Sequence, residues 1–300
     1  MIDRFADERG ATVMSAPASE SRRLGITISP ADVVSTAFLV LGAVLMMMPF
    51  VWMFSTSLRD AAQSFSLPPQ WLPTQGVHTE NYESVLSGLP LVQFMINSIK
   101  IAALITLGQL TTCSLAAFAF ARLRFPGRDA LFIVLLSSLM VPIQVTIIPI
   151  FIIVRILGLL DLHESIIIPS LVSAFGVFLL RQFFLTIPTE LEDAARIDGA
   201  GFFTIFRRIF LPLAGPGLSA LAIFTFNYHW NEFFRPLLFL STWERMTLPL
   251  GLTIMRGYLG TGNVAAIMAG LSLAIIPILI IFLIAQRYLI EGITLTGLKG

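Results

Sequence analysis

Charge is scarce in this chain. Aspartate, glutamate, lysine and arginine together make up 12% of its 300 residues, while hydrophobic residues make up 56%; the mean hydropathy is +0.86. A water-soluble domain carries about 25% charged residues to cover its surface, so no soluble reading survives. The net charge is only +1, and no basic patch of the kind that tracks a nucleic-acid backbone is present. Cysteine occurs once, at Cys113, which excludes an internal disulfide. Cys113 falls inside an apolar run and reads as a small packed hydrophobe. The histidines, His78, His163 and His229, lie in different segments without metal-ligand spacing. There is no nucleophile elbow and no triad. The nearest approach to a phosphate-binding loop is Gly292–Gly297, but Leu298 stands where the lysine must be and no soluble strand precedes it. No catalytic residue, metal site or bound cofactor is therefore expected on this chain. Residues 1–32 carry Arg4, Arg9, Arg22 and Arg23 among Ser, Ala and Gly; they lack the apolar core of a signal peptide and read as a polar tail.

What the chain has in abundance is long apolar runs. Six are expected to span a membrane as helices: about 33–57, 94–121, 130–154, 165–187, 212–234 and 264–286. Each is long enough for a hydrocarbon core of roughly 30 Å at 1.5 Å per residue. Strands are excluded because the runs are too long and do not alternate. The fold class is thus an all-α membrane protein, with a tail at 1–32 and a six-helix domain at 33–300. Pro142 and Pro149 bracket an expected interruption of the third run. The segments 58–93 and 235–262 join spans on one side, and Trp71 and Tyr82 suit its membrane–water boundary.

Lysine and arginine set the expected orientation. Thirteen of the nineteen fall on the side of both tails, the Arg122–Arg128 turn and the loop at 188–211, against six on the other side. The positive-inside rule then places both termini and that loop in the cytoplasm.

The loop is the most polar stretch of the C-terminal two-thirds. Thr189 and Glu192 have capping-box spacing, and Glu190, Glu192 and Asp193 suit the positive end of a helix. Gly199 is placed to end that helix in the left-handed conformation. A second short helix follows, with Phe202, Ile205, Phe206, Ile209 and Phe210 on one stripe and Arg207 and Arg208 opposite.

The run Asp193-Ala194-Ala195-Arg196-Ile197-Asp198-Gly199-Ala200, continuing to Phe206, Leu211-Pro212 and Pro216, resembles the EAA motif of bacterial ABC importer permeases. Asp193 stands where that motif usually has glutamate. Asn97-Ser98, Ala116 to Gly127, Pro142 to Pro149, Phe178 to Phe184, Trp230-Asn231-Glu232-Phe233 and Gly292 to Gly300 are similar to the maltose-type, carbohydrate branch. Arg235 departs from the branch, where an aromatic or aliphatic residue usually stands beside the proline.

This resemblance implies the bundle of a type I importer permease in the bacterial inner membrane, embedded in lipid. It implies a transport subunit that is not an enzyme. The expected partners are a second permease, an ABC ATPase dimer that uses ATP and Mg, and an extracytoplasmic solute-binding protein. The expected ATPase-docking residues are Glu190, Glu192, Asp193, Ala194, Ala195, Asp198, Gly199, Ala200 and Phe206. An ion-coupled transporter or channel without an ATPase is the rival reading, but no repeat relates the two halves and Glu232 is nearly the only buried acid.

Polar residues within spans either line a path or bond between helices. Asn227 and Asn231 share a helix face and are open to both readings. Glu232, near the outer boundary, suits a structural or gating role. Gln109 in the second run and Gln144 in the third, with Thr111, Thr112 and Thr146, are further path candidates.

Overall fold

The computed structural model describes residues 29–62, 71–74, 76–88, 90–258 and 263–297, with side chains omitted at 255–258, 281 and beyond Leu283. The expected N-terminal tail up to residue 28 and the last three residues lie outside that set. Each of the six apolar runs is helical, and there is no strand among the described residues. The chain divides into two compact units, Met1–Met48 and Pro49–Gly300. The first contains most of α1, Pro30–Ser57, at whose start the Asp32 carboxylate accepts from Ser29 N and the Ser29 hydroxyl from Ala31 N.

The second unit starts with the end of α1 and α2 (Glu80–Gly88), followed by α3 (Leu91–Arg122), α4 (Arg128–Ser137) and α5 (Ile143–Ile156). After α6 (Glu164–Ile167) come α7 (Ala174–Thr186), α8 (Thr189–Ile197), α9 (Phe202–Ile205), α10 (Leu211–Leu213) and α11 (Gly215–Trp230). The unit closes with α12 (Phe234–Phe239), α13 (Leu248–Tyr258) and α14 (Val264–Gly297). Among the described residues three segments are individually long and apolar enough to cross a membrane: Pro30–Ser57, Leu91–Arg122 and Glu164–Thr186. Two bent pairs add one each if taken as single spans, and the apolar part of α14 runs Val264–Ile280. The helix α2 inside the expected loop at 58–93 was not anticipated. Gly292–Gly297, the loop-like stretch near the C-terminus, is simply the end of α14.

Two of the expected spans differ in shape. Arg128–Met140 meets Ile143–Ile156 at 101°. Proline drives the residue before it out of the helical region, and Val141 before Pro142 is indeed extended at φ −86°, ψ 114°. Pro149 does not break the chain; it sits inside α5. The fifth span is likewise not a straight 212–234 helix, since Phe202–Leu213 and Gly215–Trp230 cross at 76°.

The helix α3 is the stave of the unit, packed against α7 and α11. Its first half enters a cluster with Phe94, Ile101, Ile105, Trp230 and Leu248, and its second half enters another with Cys113, Ala117, Phe118, Phe184 and Phe210. Gly176 permits the close approach of α7: a Cβ there would lie 2.9 Å from Cys113 Sγ and 3.1 Å from Leu221 Cδ1. Just before α7 the chain is not helical at Leu171–Ser173, so carbonyls there lack intrahelical partners. Such groups must be satisfied inside lipid. The row Gln109, Thr112, Cys113 on α3 supplies the donors: Gln109 Nε2 to Ser170 O at 2.7 Å, Thr112 Oγ1 to Leu171 O at 2.5 Å, and Cys113 Sγ to Ser173 O at 3.5 Å. Gln109 is buried in this role, which corrects its assignment to the solute path; Thr112 is corrected with it.

At the end of the bundle opposite the 188–211 loop, Asp161 holds two connections together. It takes the left-handed conformation at φ 60°, which Asp tolerates better than most residues. Its carboxylate accepts from the backbone N–H of Ser241 and Thr242, both at 2.8 Å, and from the Thr242 hydroxyl. Partial burial would raise this carboxyl, but those bonds and Arg245 outweigh it and bring the group down to about 2. A carboxylate held below its unfolded value of about 3.9 adds stability above that pH and loses it as pH falls toward 2. The clasp is therefore expected to be fully closed from neutral pH to about 4 and to open between about 4 and 2. Asp161→Asn keeps the backbone but removes the charge. Amide exchange at Ser241 and Thr242 is expected to quicken roughly fivefold at neutral pH, equivalent to about 1 kcal/mol; unchanged exchange would contradict the clasp. Beside it, Asn97 Nδ2 donates to Glu244 O and Met246 O, and Ser98 Oγ accepts from Leu248 N, so this pair fastens the 244–248 segment to α3.

Candidate functional site

The 188–211 loop is built on the way α7 stops. Ile187, ahead of Pro188, is extended at φ −73°, ψ 129°, as a residue before proline must be. The carbonyls of Phe184, which also accepts from Ile187 N, and of Ile187 both accept from the guanidinium of Arg122 at the end of α3. Arg122 also lies 4.8 Å over the ring of Phe210.

The helix α8 starts with Pro188 at its N-cap and no side-chain cap. The expected capping box is absent because Thr189 already lies inside the first turn. Glu192 instead turns inward, is buried, and accepts from Arg196 Nη2 at 2.6 Å. The helix ends in a Schellman motif. Gly199 adopts φ +81°, where a side chain would be strained; Ala200 N donates to Ala195 O at 2.9 Å and Gly199 N to Arg196 O at 3.0 Å. No atom lies within 4 Å of where a Gly199 Cβ would be, so the requirement is conformational only.

After α9 the backbone widens into a π turn, Phe206–Phe210. Phe206 and Phe210 are buried with Phe118 of α3 and Phe184 of α7, at centroid separations of 5.1 to 5.7 Å for Phe118–Phe206, Phe118–Phe210 and Phe184–Phe210. Ala195 and Ala200 pack against the same cluster. Two expected docking residues are corrected by this geometry: Glu192 and Phe206 face the bundle and support the loop from beneath. Glu190, Asp193, Ala194, Asp198 and Gly199 are exposed. Phe202, expected on the buried stripe, is exposed and covered only by Arg196, at 5.1 Å. The residue that sequence reasoning passed over is Ile197. It is 86% exposed between two charged neighbours, and its place next to the end of a helix with one buried side is the signal that could have found it.

Of the expected path residues, the structure gathers Gln144, Asn227, Asn231 and Glu232 around one cavity of about 480 Å³, together with Tyr228, Phe233 and Phe234. Asn227 and Asn231 are exposed there and bond to each other rather than to another helix: Asn231 Nδ2 donates to Asn227 O at 2.8 Å and to Oδ1 at 3.2 Å. Glu232 lies at the edge of the cavity, but its oxygens are engaged. One accepts from Arg235 Nε, and the other meets Arg235 Nη2 and His229 Nδ1, both at 2.8 Å. Arg235 also donates to Ser170 Oγ. All four residues are buried. Thr225 donates to Gln109 at 3.0 Å, so one polar network joins α3, the break before α7, α11 and α12. In this chain Arg235 supplies the cation that Glu232 faces.

A polytopic helical bundle with a charged, Schellman-capped loop at one end and amide-lined space beside its fifth apolar segment belongs to the transporter class. Sequence comparison gives the family. Residues 109–294 match the model of the binding-protein-dependent transport system inner membrane component, and the chain belongs to that family. The arabinooligosaccharides transport system permease protein AraQ of Halalkalibacterium halodurans is 39% identical over 204 residues, covering 68% of this chain and 73% of AraQ. The sn-glycerol-3-phosphate transport system permease protein UgpE of Salmonella typhimurium is 34% identical over 284 residues, covering 91% and 98%. Among solved structures, a bacterial ABC transporter involved in import of the acidic polysaccharide alginate matches with a TM-score of 0.75 at 25% identity, over 87% of this chain and 98% of that one. This chain is thus a multi-pass inner-membrane permease subunit of an ABC importer, carrying its family's EAA motif at 193–200. It is a transport subunit and not an enzyme, and its family works with a partner permease, an ATPase and a solute-binding protein.

Proposed function

We propose that this chain forms half of a membrane path for a sugar, oligosaccharide or polyol delivered by an extracytoplasmic binding protein. A second permease subunit supplies the other half, and the 188–211 loop docks on one subunit of an ATPase dimer. ATP and Mg are bound by that dimer, and this chain holds no cofactor. Both termini and the loop face the cytoplasm, as the lysine and arginine distribution favours. The relatives carry arabinooligosaccharides, glycerol 3-phosphate or alginate, which supports a polyhydroxylated solute. Asn227, Asn231 and Gln144 offer it amide donors and acceptors, and Tyr228, Phe233 and Phe234 offer apolar ring faces.

The observation that carries the docking role is Ile197, an apolar side chain left bare between Arg196 and Asp198 on a helix whose other side is buried. With exposed Leu191 and Ala194, six and three residues back on the same side of the helix, it makes a contiguous apolar patch, and such a patch marks a partner surface. On ATPase closure, force applied at Leu191, Ala194, Ile197 and Asp198 passes through Ala195 and Ala200 into the aromatic cluster, and from there into α3 and α7. Ile197→Glu tests this without disturbing the fold, since the side chain has no packing to lose. The variant is expected to reach the membrane at normal levels but to lose ATPase co-purification and at least tenfold of solute uptake. Full uptake by that variant would refute the docking role.

A further inference from the structure

Between α8 and the α3–α4 turn lies a cavity of about 610 Å³ lined by Arg122, Arg124, Arg128 and Arg196 with Thr189, Glu192 and Asp193. Thr189, Glu192, Asp193 and Arg196 follow one another at helical spacing and form one side of α8, which borders the exposed edge that carries Ile197. Four arginines meet two carboxylates, so the lining has a surplus of positive charge. The cations are not equally free. Arg122 is engaged with the carbonyls at the end of α7, and Arg196 with Glu192. Arg128 gives its Nε to Asp129 at 2.9 Å, and Arg124 is exposed without an ion pair or hydrogen bond among the described residues. A second cavity shares Arg124 and Arg128 and runs along Phe125, Gly127, Asp129 and Ala130 at the start of α4, its one carboxylate being the Asp129 already paired with Arg128. There Phe125, Leu131, Ile133 and Val134 leave apolar surface exposed, as a helix facing acyl chains does. The positive space thus opens where an apolar helix begins.

We propose that this cavity holds the phosphate headgroup of an anionic phospholipid, with Arg124 and Arg128 as its principal ligands and the acyl chains lying along α4. Basic pockets between membrane helices at the interface take such headgroups. A carboxylate of the ATPase is the weaker occupant, because the positive space continues past Arg124 and Arg128 to the exposed apolar start of α4. The bound lipid would bridge the α3–α4 turn and α8, and so stiffen the loop on which the proposed coupling rests. Its binding itself requires only the fold.

The test uses the assembled permease–ATPase complex in nanodiscs of phosphatidylcholine alone, or of phosphatidylcholine and phosphatidylglycerol in equal parts. Native mass spectrometry counts retained lipid, and ATP hydrolysis is measured in parallel. Wild type is expected to retain phosphatidylglycerol selectively and to hydrolyse ATP several-fold faster in its presence. Arg124→Gln/Arg128→Gln is expected to lose retention by roughly fivefold per arginine, and to lose the stimulation while keeping its rate in phosphatidylcholine. Arg124→Lys/Arg128→Lys should keep most of both, which separates lost charge from lost folding. Equal phosphatidylglycerol retention by wild type and the glutamine variant would overturn the site. If soluble glycerol phosphate reproduced the stimulation in phosphatidylcholine, the ligand would be a free anion and the lipid assignment would fall. Loss of ATPase co-purification in both lipids by the glutamine variant would assign the arginines to docking instead. Retention without any ATP hydrolysis in wild type would uphold the lipid site and count against the transport reading alone.

Discussion

Glu232→Gln is expected to destabilise the folded chain by about 3–5 kcal/mol, because it leaves the Arg235 guanidinium buried without its counter-charge. Arg235 has few alternatives. Ser170 takes one of its N–H groups, and His229 Nδ1 lies 3.5 Å from Nη2. Arg235→Met should be comparably harmful, since it strands Glu232 instead. The double variant Glu232→Met/Arg235→Met should recover much of either loss, as apolar replacement of a buried pair is often near neutral. Thermal unfolding of the solubilised chain distinguishes these cases. Single variants that melted with wild type would show that the pair is not formed in the folded protein. Transport need not recover with stability, because the network also fixes the chain beside the Asn227–Asn231 cavity.

The second large effect is expected at Gly199. A side chain in the left-handed region costs about 1–2 kcal/mol, and more when branched at Cβ. Since about 1.4 kcal/mol is a factor of ten, Gly199→Val should depopulate the Schellman ending of α8 by tenfold or more. The site has no neighbour within 4 Å of a Cβ, so the chain should still fold and insert. The loss should appear as uptake reduced about tenfold, with ATP hydrolysis no longer responding to the loaded binding protein. Gly199→Asn, which tolerates the same conformation, should retain most of the activity. Normal uptake by the valine variant would remove the loop ending from the coupling mechanism.

The apolar, helical character of the runs was legible because lipid demands length and apolarity, and both are written residue by residue. Gly199 was legible for a similar reason: its requirement is local. The kinks were less so. Pro142 and Pro149 look alike in sequence, yet only Pro142 breaks the chain, and that depends on what surrounds each. The spacing that pairs Glu192 with Arg196 inside a helix was visible, but a capping box looked equally good until Pro188 took the cap. His229, Glu232 and Arg235 are each three apart, but the chain leaves the helix at Asn231, so helical geometry could not have joined them. Gln109 looked like a path residue because the break it serves, at Leu171–Ser173, has no strong marker of its own. Contacts between distant segments are what a linear pattern cannot carry.

The grip of Arg122 on the last carbonyls of α7 has a mechanical corollary. Because one guanidinium on α3 clasps the point where α7 gives way to α8, the two rods share a pivot at that end. Any thrust on the loop must swing them together as a single lever, and α4 is drawn along with them, because its Phe132 packs on Phe120 of α3 and lies under Arg181 of α7.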